Sequence, residues 1–482
     1  MIGAGPGGRP PQSPHTEGSR PPSPPAPPAR RWHAELAWLP GQGVRRDVLI
    51  EADGERFTAV TPGAQEMWAA ETLRGLTLPG FANAHSHAFH RALRGGTQAG
   101  HGTFWTWRER MYGVAERLDP DGYHRLARAV YAEMALAGVS CVGEFHYLHH
   151  AQGGHRYADP NAMGRALVAA AAEAGLRITL LDACYLTGGL DPARGLLPLA
   201  GPQLRFGDGD ALRWAERAAG LVSGEHGMIS AHARAGAAVH SVRAVPRGQM
   251  HPVVAWAHRF GAPLHAHLSE QQAENEEARA VYGVSPTRLL YETDVLGPRT
   301  TVVHATHVDP ADIDMLGGCQ VFACLCPTTE RDLGDGLAPA QTLAAAGCPL
   351  TLGSDSHAVI DMLEEARGVE YAERLARRAR GHFTADALLR AATVAGHASL
   401  GWPDAGEIMP GAWADLVTVS LDSVRTAGAA EGLAAEAVVF GATSADVRHV
   451  VIGGRDVVRD GAHLLVNDVP AELSASIRSV AG

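Results

Sequence analysis

Between residues 76 and 404 the chain alternates short apolar runs with longer segments whose apolar positions recur at helical spacing, and it does so eight times. The runs fall at 76–81, 140–145, 177–183, 228–231, 263–268, 301–305, 321–325 and 349–353. Eight strand–helix units in succession are the pattern of parallel βα repeats and predict an α/β fold, a closed (β/α)8 TIM barrel. Helices are expected at 123–136, 163–174 and 361–379, each with an apolar stripe suited to packing on the outside of the barrel.

The flanks read differently. Runs at 33–39 and 48–52, and again at 415–421 and 447–459, are separated by turn residues, and Gly453-Gly454 marks a hairpin. Residues 31–75 and 405–482 are therefore expected to pair into one small β-sandwich-like domain bracketing the barrel at 76–404. Residues 1–30 hold ten prolines among Gly, Ser and Ala, a composition that buries little apolar surface and predicts a disordered tail without an assigned function.

Composition narrows the function classes. A hydrophobic content of 46% in 482 residues supports a globular protein with more than one core, and a formal net charge of −11 without any basic block argues against a nucleic-acid surface. No long uncharged apolar span and no signal-peptide core are present, so a cytoplasmic enzyme without membrane contact is expected. The six cysteines lie mostly in apolar strand-like runs, where a buried free thiol is the ordinary state, and Cys324-Leu-Cys326 is too isolated for a zinc knuckle. All 41 Lys and Arg positions are Arg, which rules out any catalytic lysine.

In a barrel of this kind the working residues sit at the C-terminal ends of the strands. The polar residues there are His85, His87, His146, His265, His267, His304 and Asp355. Residues two apart on a strand project to the same side, so His85 and His87 leave the end of the first strand together. Three imidazoles and one carboxylate suit Zn²⁺, with Fe²⁺ or Mn²⁺ as alternatives, and His85, His87, His267 and Asp355 are assigned as ligands. His265 is read as a core residue or one supporting a ligand. His304 is either a fifth ligand or, as favoured, the group that hydrogen-bonds the attacking water.

These positions resemble the amidohydrolase superfamily, whose members carry His-x-His after the first barrel strand, His after the fifth and sixth, and Asp after the eighth, here His85-Ser86-His87, His267, His304 and Asp355. Binuclear members bridge two metals with a carboxylated lysine, and a chain without lysine implies one metal per chain, as in the deaminase branch. Within that branch the passages FANAHSHAFHRAL, TFWTWRERMYG, GEFHYLHH, HSVRAV, HAHLSEQ, CLCPTTERDLGDG and LGSDSH are similar to the formimidoylglutamate deiminase family, over roughly residues 31–468.

The resemblance implies hydrolysis of N-formimidoyl-L-glutamate to N-formyl-L-glutamate and ammonia, a step of histidine breakdown, by a homodimer. It also implies that Arg108, Tyr147, His240 and Arg243 bind the substrate, and a dicarboxylate does call for cationic groups near the barrel mouth. From residue type alone Arg108 and Arg243 could equally be surface ion pairs. His90 stands where the family usually has glutamine facing the substrate. It can still donate or accept one hydrogen bond at each ring nitrogen, but it is bulkier and can carry charge. In the implied chemistry Asp355 takes a proton from a metal-activated water, Glu270 protonates the departing nitrogen, and His304 holds the attacking oxygen. The alternatives are a nucleobase or guanidino deaminase with the same metal site, a hydrolase of cyclic amides, and a non-catalytic barrel kept as a scaffold.

Overall fold

The computed structural model describes residues 1, 3, 29–65, 70–99, 101–102, 104–222, 227 and 229–480. Of the tail expected at 1–30, residues 2 and 4–28 lie outside the described residues, as does Met228, and Arg30 is not part of a disordered tail but opens the strand Arg30–Leu39.

Eight parallel strands form the barrel: β1 (Phe81–Ser86), β2 (Val139–His146), β3 (Arg177–Cys184), β4 (Ala233–Val239), β5 (Leu264–Leu268), β6 (Thr300–His304), β7 (Phe322–Leu325) and β8 (Leu350–Leu352). Each pairs with the next in chain order. The ring is completed at its mouth, where Ser86 and Asp355 form a parallel bridge. There Asp355 N donates to His85 O at 3.0 Å and His87 N donates to Asp355 O at 3.3 Å. Closure and the His-x-His segment are thus one structural event.

Two expected strands shift. The run at 76–81 divides: residues up to Pro79 end a strand of the small sheet (Glu71–Pro79), and the barrel strand begins only at Phe81. Gly80 makes the break possible, because a Cβ there would lie 2.5 Å from Ser140 Oγ. The strand expected at 228–231 is found at Ala233–Val239 instead. Its sequence, ARAGAAV, has little β-branched character, and the small residues are needed for space: a Cβ on Gly236 would meet Leu181 at 2.6 Å.

The helices start where caps dictate. Asp119 accepts from Gly122 N at 2.7 Å and Pro120 occupies the first turn, so the helix expected at 123–136 begins three residues earlier, at Pro120. Asp361 caps Met362–Arg377 in the same way.

The chain ends meet in one eight-stranded sheet, ordered 462–463, 455–459, 447–452, 416–419, 71–79, 30–39, 43–53 and 56–61. Only the pairing of 30–39 with 71–79 is parallel. The sheet curls over its own core of Trp32, Ile50, Phe57, Leu73, Leu416 and Val451. Not all of 405–482 stays with it, because helix Val469–Val480 lies against helix Pro120–Leu136 of the barrel layer.

Sheet and barrel are joined through a buried ion pair. Arg177, at the start of β3, donates from Nε and Nη2 to Asp415 at 3.1 and 3.2 Å, with both side chains at most 2% exposed. Asp415 also accepts from Gly453 N at 2.7 Å, and the guanidinium lies 3.8 Å over the Trp413 ring. Removing one partner leaves an uncompensated buried charge, so Asp415→Ala is expected to destabilise the fold by about 3–5 kcal/mol. Equilibrium denaturation by urea measures this, and a loss below about 1 kcal/mol, the scale of a surface pair, would contradict it.

Candidate functional site

The C-terminal ends of β1, β5 and β8 bring His85, His87, His267 and Asp355 together, all buried, with their ligand atoms within 4.8 Å of one another. His85 Nε2 and His87 Nε2 each lie 3.4 Å from Asp355 Oδ1, and His267 Nε2 lies 3.1 Å from His85 Nε2. Backbone carbonyls orient two of the rings. His87 Nδ1 sits 2.9 Å from Phe145 O and His267 Nδ1 2.9 Å from His240 O. A carbonyl only accepts, so each Nδ1 carries the proton and each Nε2 turns a lone pair inward.

Burial, reinforced by the neighbouring imidazoles, holds all three histidines well below their ordinary pKa and therefore neutral. Three neutral imidazoles and a carboxylate converging on one point fit a divalent metal ion of the borderline class.

A second cluster does not fit as well. His146, His149 and Asp182 are also close enough to share an ion. Both Asp182 oxygens, however, are taken by Arg217 at 2.8 and 2.9 Å and by Trp214 Nε1 at 2.8 Å. A cation there would sit beside a fixed guanidinium. Nor is Cys326 a good donor beside His304 and Asp355, because burial pushes its thiol well above the ordinary value and keeps it protonated.

His304 ends β6 with an imidazole ringed by acids: Nδ1 is 3.5 Å from Glu330, and Nε2 is 3.8 Å from Glu270 and 3.7 Å from Asp355. Burial alone would push its pKa down, but these carboxylates outweigh it and hold the ring well above its ordinary value. Glu270 moves upward through burial, opposed by His304 and Arg243. Backbone strain accumulates at the same rim. Ser269, His304, Ala305, Asp355 and His357 all have positive φ, between 40° and 74°. Such conformations cost about 1–3 kcal/mol each and persist only where the surroundings enforce them.

The enforcing network runs under the four converging side chains. Glu144, buried on β2, accepts from Ser86 Oγ at 2.6 Å and Ala88 N at 2.7 Å, pinning the backbone on both sides of His87. Burial pushes its carboxyl up to about 8. Ser86 Oγ also meets His357 Nε2 at 3.0 Å, and His357 Nδ1 meets Ser354 Oγ at 2.9 Å.

Above the cluster lies a cavity of about 580 Å³, its mouth included. His87, His267, Glu270, His304 and Asp355 form its floor, and Arg108, Tyr147, His240 and Arg243 line it as well. Of the expected substrate-binding residues, His90 alone is absent from the lining. It is buried behind Tyr147, with Nε2 3.0 Å from Tyr147 Oη, and burial pushes its pKa down to about 3, so it carries no charge. His90 thus faces a tyrosine rather than the cavity. His265 is also withdrawn, with Nε2 3.2 Å from Ser399 O in the barrel core.

Arg243 is partly buried and not a surface ion pair: Nε donates to Glu274 at 3.1 Å, and Nη2 is 3.8 Å from Glu270. Arg108 lies with its guanidinium carbon 5.7 Å from the Tyr112 ring centre.

Several lining residues were not anticipated, among them Trp107, Tyr112, Tyr185 and Phe206. Tyr185 directly follows the end of β3 and was open to the strand-end rule. Phe206 directly follows a short 3-10 helix, Gly201–Arg205, which is too brief for its periodicity to mark it.

Residues 76–457 match the Amidohydrolase family. The chain is 37% identical over 443 residues to formimidoylglutamate deiminase of Pseudomonas aeruginosa, covering 89% of this chain and 95% of that one. It is 28% identical over 426 residues to 5-methylthioadenosine/S-adenosylhomocysteine deaminase of Pelotomaculum thermopropionicum, covering 86% and 89%. Among solved structures, an amidohydrolase from Brucella melitensis superposes with a TM-score of 0.85 at 31% identity, covering 94% of this chain and 99% of that one.

Proposed function

The chain belongs to the amidohydrolase family, and from that membership we propose that it hydrolyses N-formimidoyl-L-glutamate to N-formyl-L-glutamate and ammonia. One observation carries the choice: the cavity over the four converging side chains is lined by two arginines, Arg108 and Arg243, as a dicarboxylate requires. Arg243 spends Nε on Glu274 and retains other N–H groups for the cavity.

His85, His87, His267 and Asp355 would hold one Zn²⁺. When bound, such an ion supplies Lewis acidity that brings the pKa of water from about 15.7 toward 7. The chain's own groups do the rest. Asp355, on the floor beside His304, accepts the proton of the water that attacks the formimidoyl carbon. A C–O bond forms as the C=N bond becomes single. Glu270 faces the same point from the end of β5 and delivers a proton to the terminal nitrogen; the proton held by Asp355 follows it, the C–N bond breaks as the new C–O bond becomes a carbonyl whose remaining proton returns to Glu270, and ammonia departs. His304, with Nε2 3.8 Å from Glu270 and 3.7 Å from Asp355, donates a hydrogen bond to the attacking oxygen and steadies the negative charge that develops there.

Tyr147 and His240 would hold the substrate's glutamyl part against the wall, with His90 setting the Tyr147 hydroxyl from behind. The reading places the enzyme in the cytoplasm as a homodimer. Among the described residues no helix is long and apolar enough to cross a membrane, and all six cysteines are free. Light scattering on the purified protein tests the dimer.

The function is tested by ammonia release from N-formimidoyl-L-glutamate, run beside guanine, cytosine and N-formimidoyl-glycine with zinc-loaded protein. Turnover of the dicarboxylate alone is expected. Turnover of a nucleobase instead would move the chain to the other deaminase reading, in which the aromatic walls stack a base and Arg108 and Arg243 have no carboxylate to bind.

A further inference from the structure

Behind the cavity wall lies a side chain with an unusual set of partners. Gln203, buried at 7% exposure, places Nε2 3.1 Å from Tyr112 Oη, 3.2 Å from Tyr185 Oη and 3.2 Å from Gly188 O. Its Oε1 accepts from Ala200 N at 3.3 Å. The two backbone contacts fix which way the amide points: a carbonyl can only accept, so Nε2 faces Gly188 O, and an N–H can only donate, so Oε1 faces Ala200. Gly188 belongs to the same arrangement, since a Cβ there would lie 3.0 Å from Gln203 Oε1 and 2.5 Å from Pro198 O.

The orientation has a consequence for both tyrosines. The two N–H protons of Gln203 are shared among three acceptors, the two hydroxyls and Gly188 O, but an amide nitrogen cannot accept a hydrogen bond, so neither hydroxyl can direct its proton at Gln203 and each can only offer it oxygen lone pairs. Among the described residues, the one hydrogen bond seen at each hydroxyl is the one it accepts from Gln203. Both tyrosines line the cavity, and Arg108 stands over the Tyr112 ring.

We infer that Gln203 sets the polarity of a two-tyrosine donor pair, Tyr112 and Tyr185, whose hydroxyl protons take one carboxylate of the substrate. Gln203 is a positioning residue. It acts through the tyrosines and enforces a pocket that selects a carboxylate over a carboxamide, because an amide NH₂ would meet two donors and leave them unpaired. The inference rests on the dicarboxylate reading and assigns that reading a further discriminating element beyond the arginines.

The test is calorimetric binding of glutarate and of its monoamide, glutaramate, to the metal-loaded protein and to Gln203→Glu, Tyr112→Phe and Tyr185→Phe. The parent is expected to prefer glutarate by about tenfold, the scale of one hydrogen bond to a charged group. The carboxylate introduced by Gln203→Glu accepts both hydroxyl protons and turns lone pairs to the cavity, so this variant should reverse the preference. Each Tyr→Phe change should weaken glutarate by about tenfold and glutaramate far less.

Equal weakening of both ligands by Gln203→Glu would mark a merely structural role. No preference in the parent, or unchanged glutarate affinity in both phenylalanine variants, would likewise overturn the inference. Ammonia release from N-formimidoyl-L-glutamate is followed on the same samples. Its absence in the parent with the affinity pattern intact would remove the substrate assignment and leave the donor pair standing.

Discussion

Glu270→Gln is expected to lower kcat by about 10²–10⁴, the range for loss of a general acid, while leaving metal content at one ion per chain. The two halves of that result have separate causes. Glu270 is not among the four groups that converge on the metal point, so an isosteric amide leaves the donor set intact. Its carboxyl is pushed upward by burial, against the pull of His304 and Arg243, so it can hold a proton that an exposed glutamate would have lost. Glutamine has the shape but no acidic proton. Metal analysis beside steady-state kinetics checks the outcome: full activity in the variant would exclude the acid role, whereas loss of both activity and metal would make Glu270 part of the metal site.

The second large effect is expected at His267. His267→Ala should bring metal content well below one per chain and reduce turnover by at least about 10³, since no water is then activated at neutral pH. The reason lies in its surroundings as much as in its ring. His240 O holds Nδ1 at 2.9 Å, which commits Nε2 to the cluster, and burial keeps the ring neutral, so no proton competes for that nitrogen. His265, two residues earlier on the same strand, points to Ser399 O and supplies the control. Substitution there should alter stability and leave metal content unchanged. Retained metal and activity in His267→Ala would mean that His85, His87 and Asp355 suffice.

Much of this architecture was legible along the chain because it depends on local period. Six of the eight expected barrel runs coincide with strands to within a residue or two, since an apolar run of strand length is the same whether read alone or in a barrel. The two that moved did so for reasons of neighbours. Gly80 breaks the first run because Ser140 leaves no room for a Cβ, and ARAGAAV forms a strand because Leu181 and Pro263 crowd Gly236. Neither contact is visible until the sheet is assembled.

The convergence of four donor side chains was likewise legible. His85 and His87 are two apart on one strand end, and His267 and Asp355 lie at or just beyond the ends of other strands, so alternation and strand ends bring them into a short group of candidates that also holds His146, His265 and His304. Sequence by itself thus determined the barrel, the joining of the chain ends and the four converging donors, because these follow from periodicity and from residue types that have little other use at a strand terminus.

Only the tertiary structure decided which polar residues reach the cavity. It withdrew His90 behind Tyr147 and gave His304 its ring of acids. It also brought Gln203 from a short 3-10 helix, Gly201–Arg205, to the hydroxyls of two tyrosines 91 and 18 residues away along the chain. Hydrogen-bond polarity and burial arise between segments distant in sequence, and no local pattern encodes them.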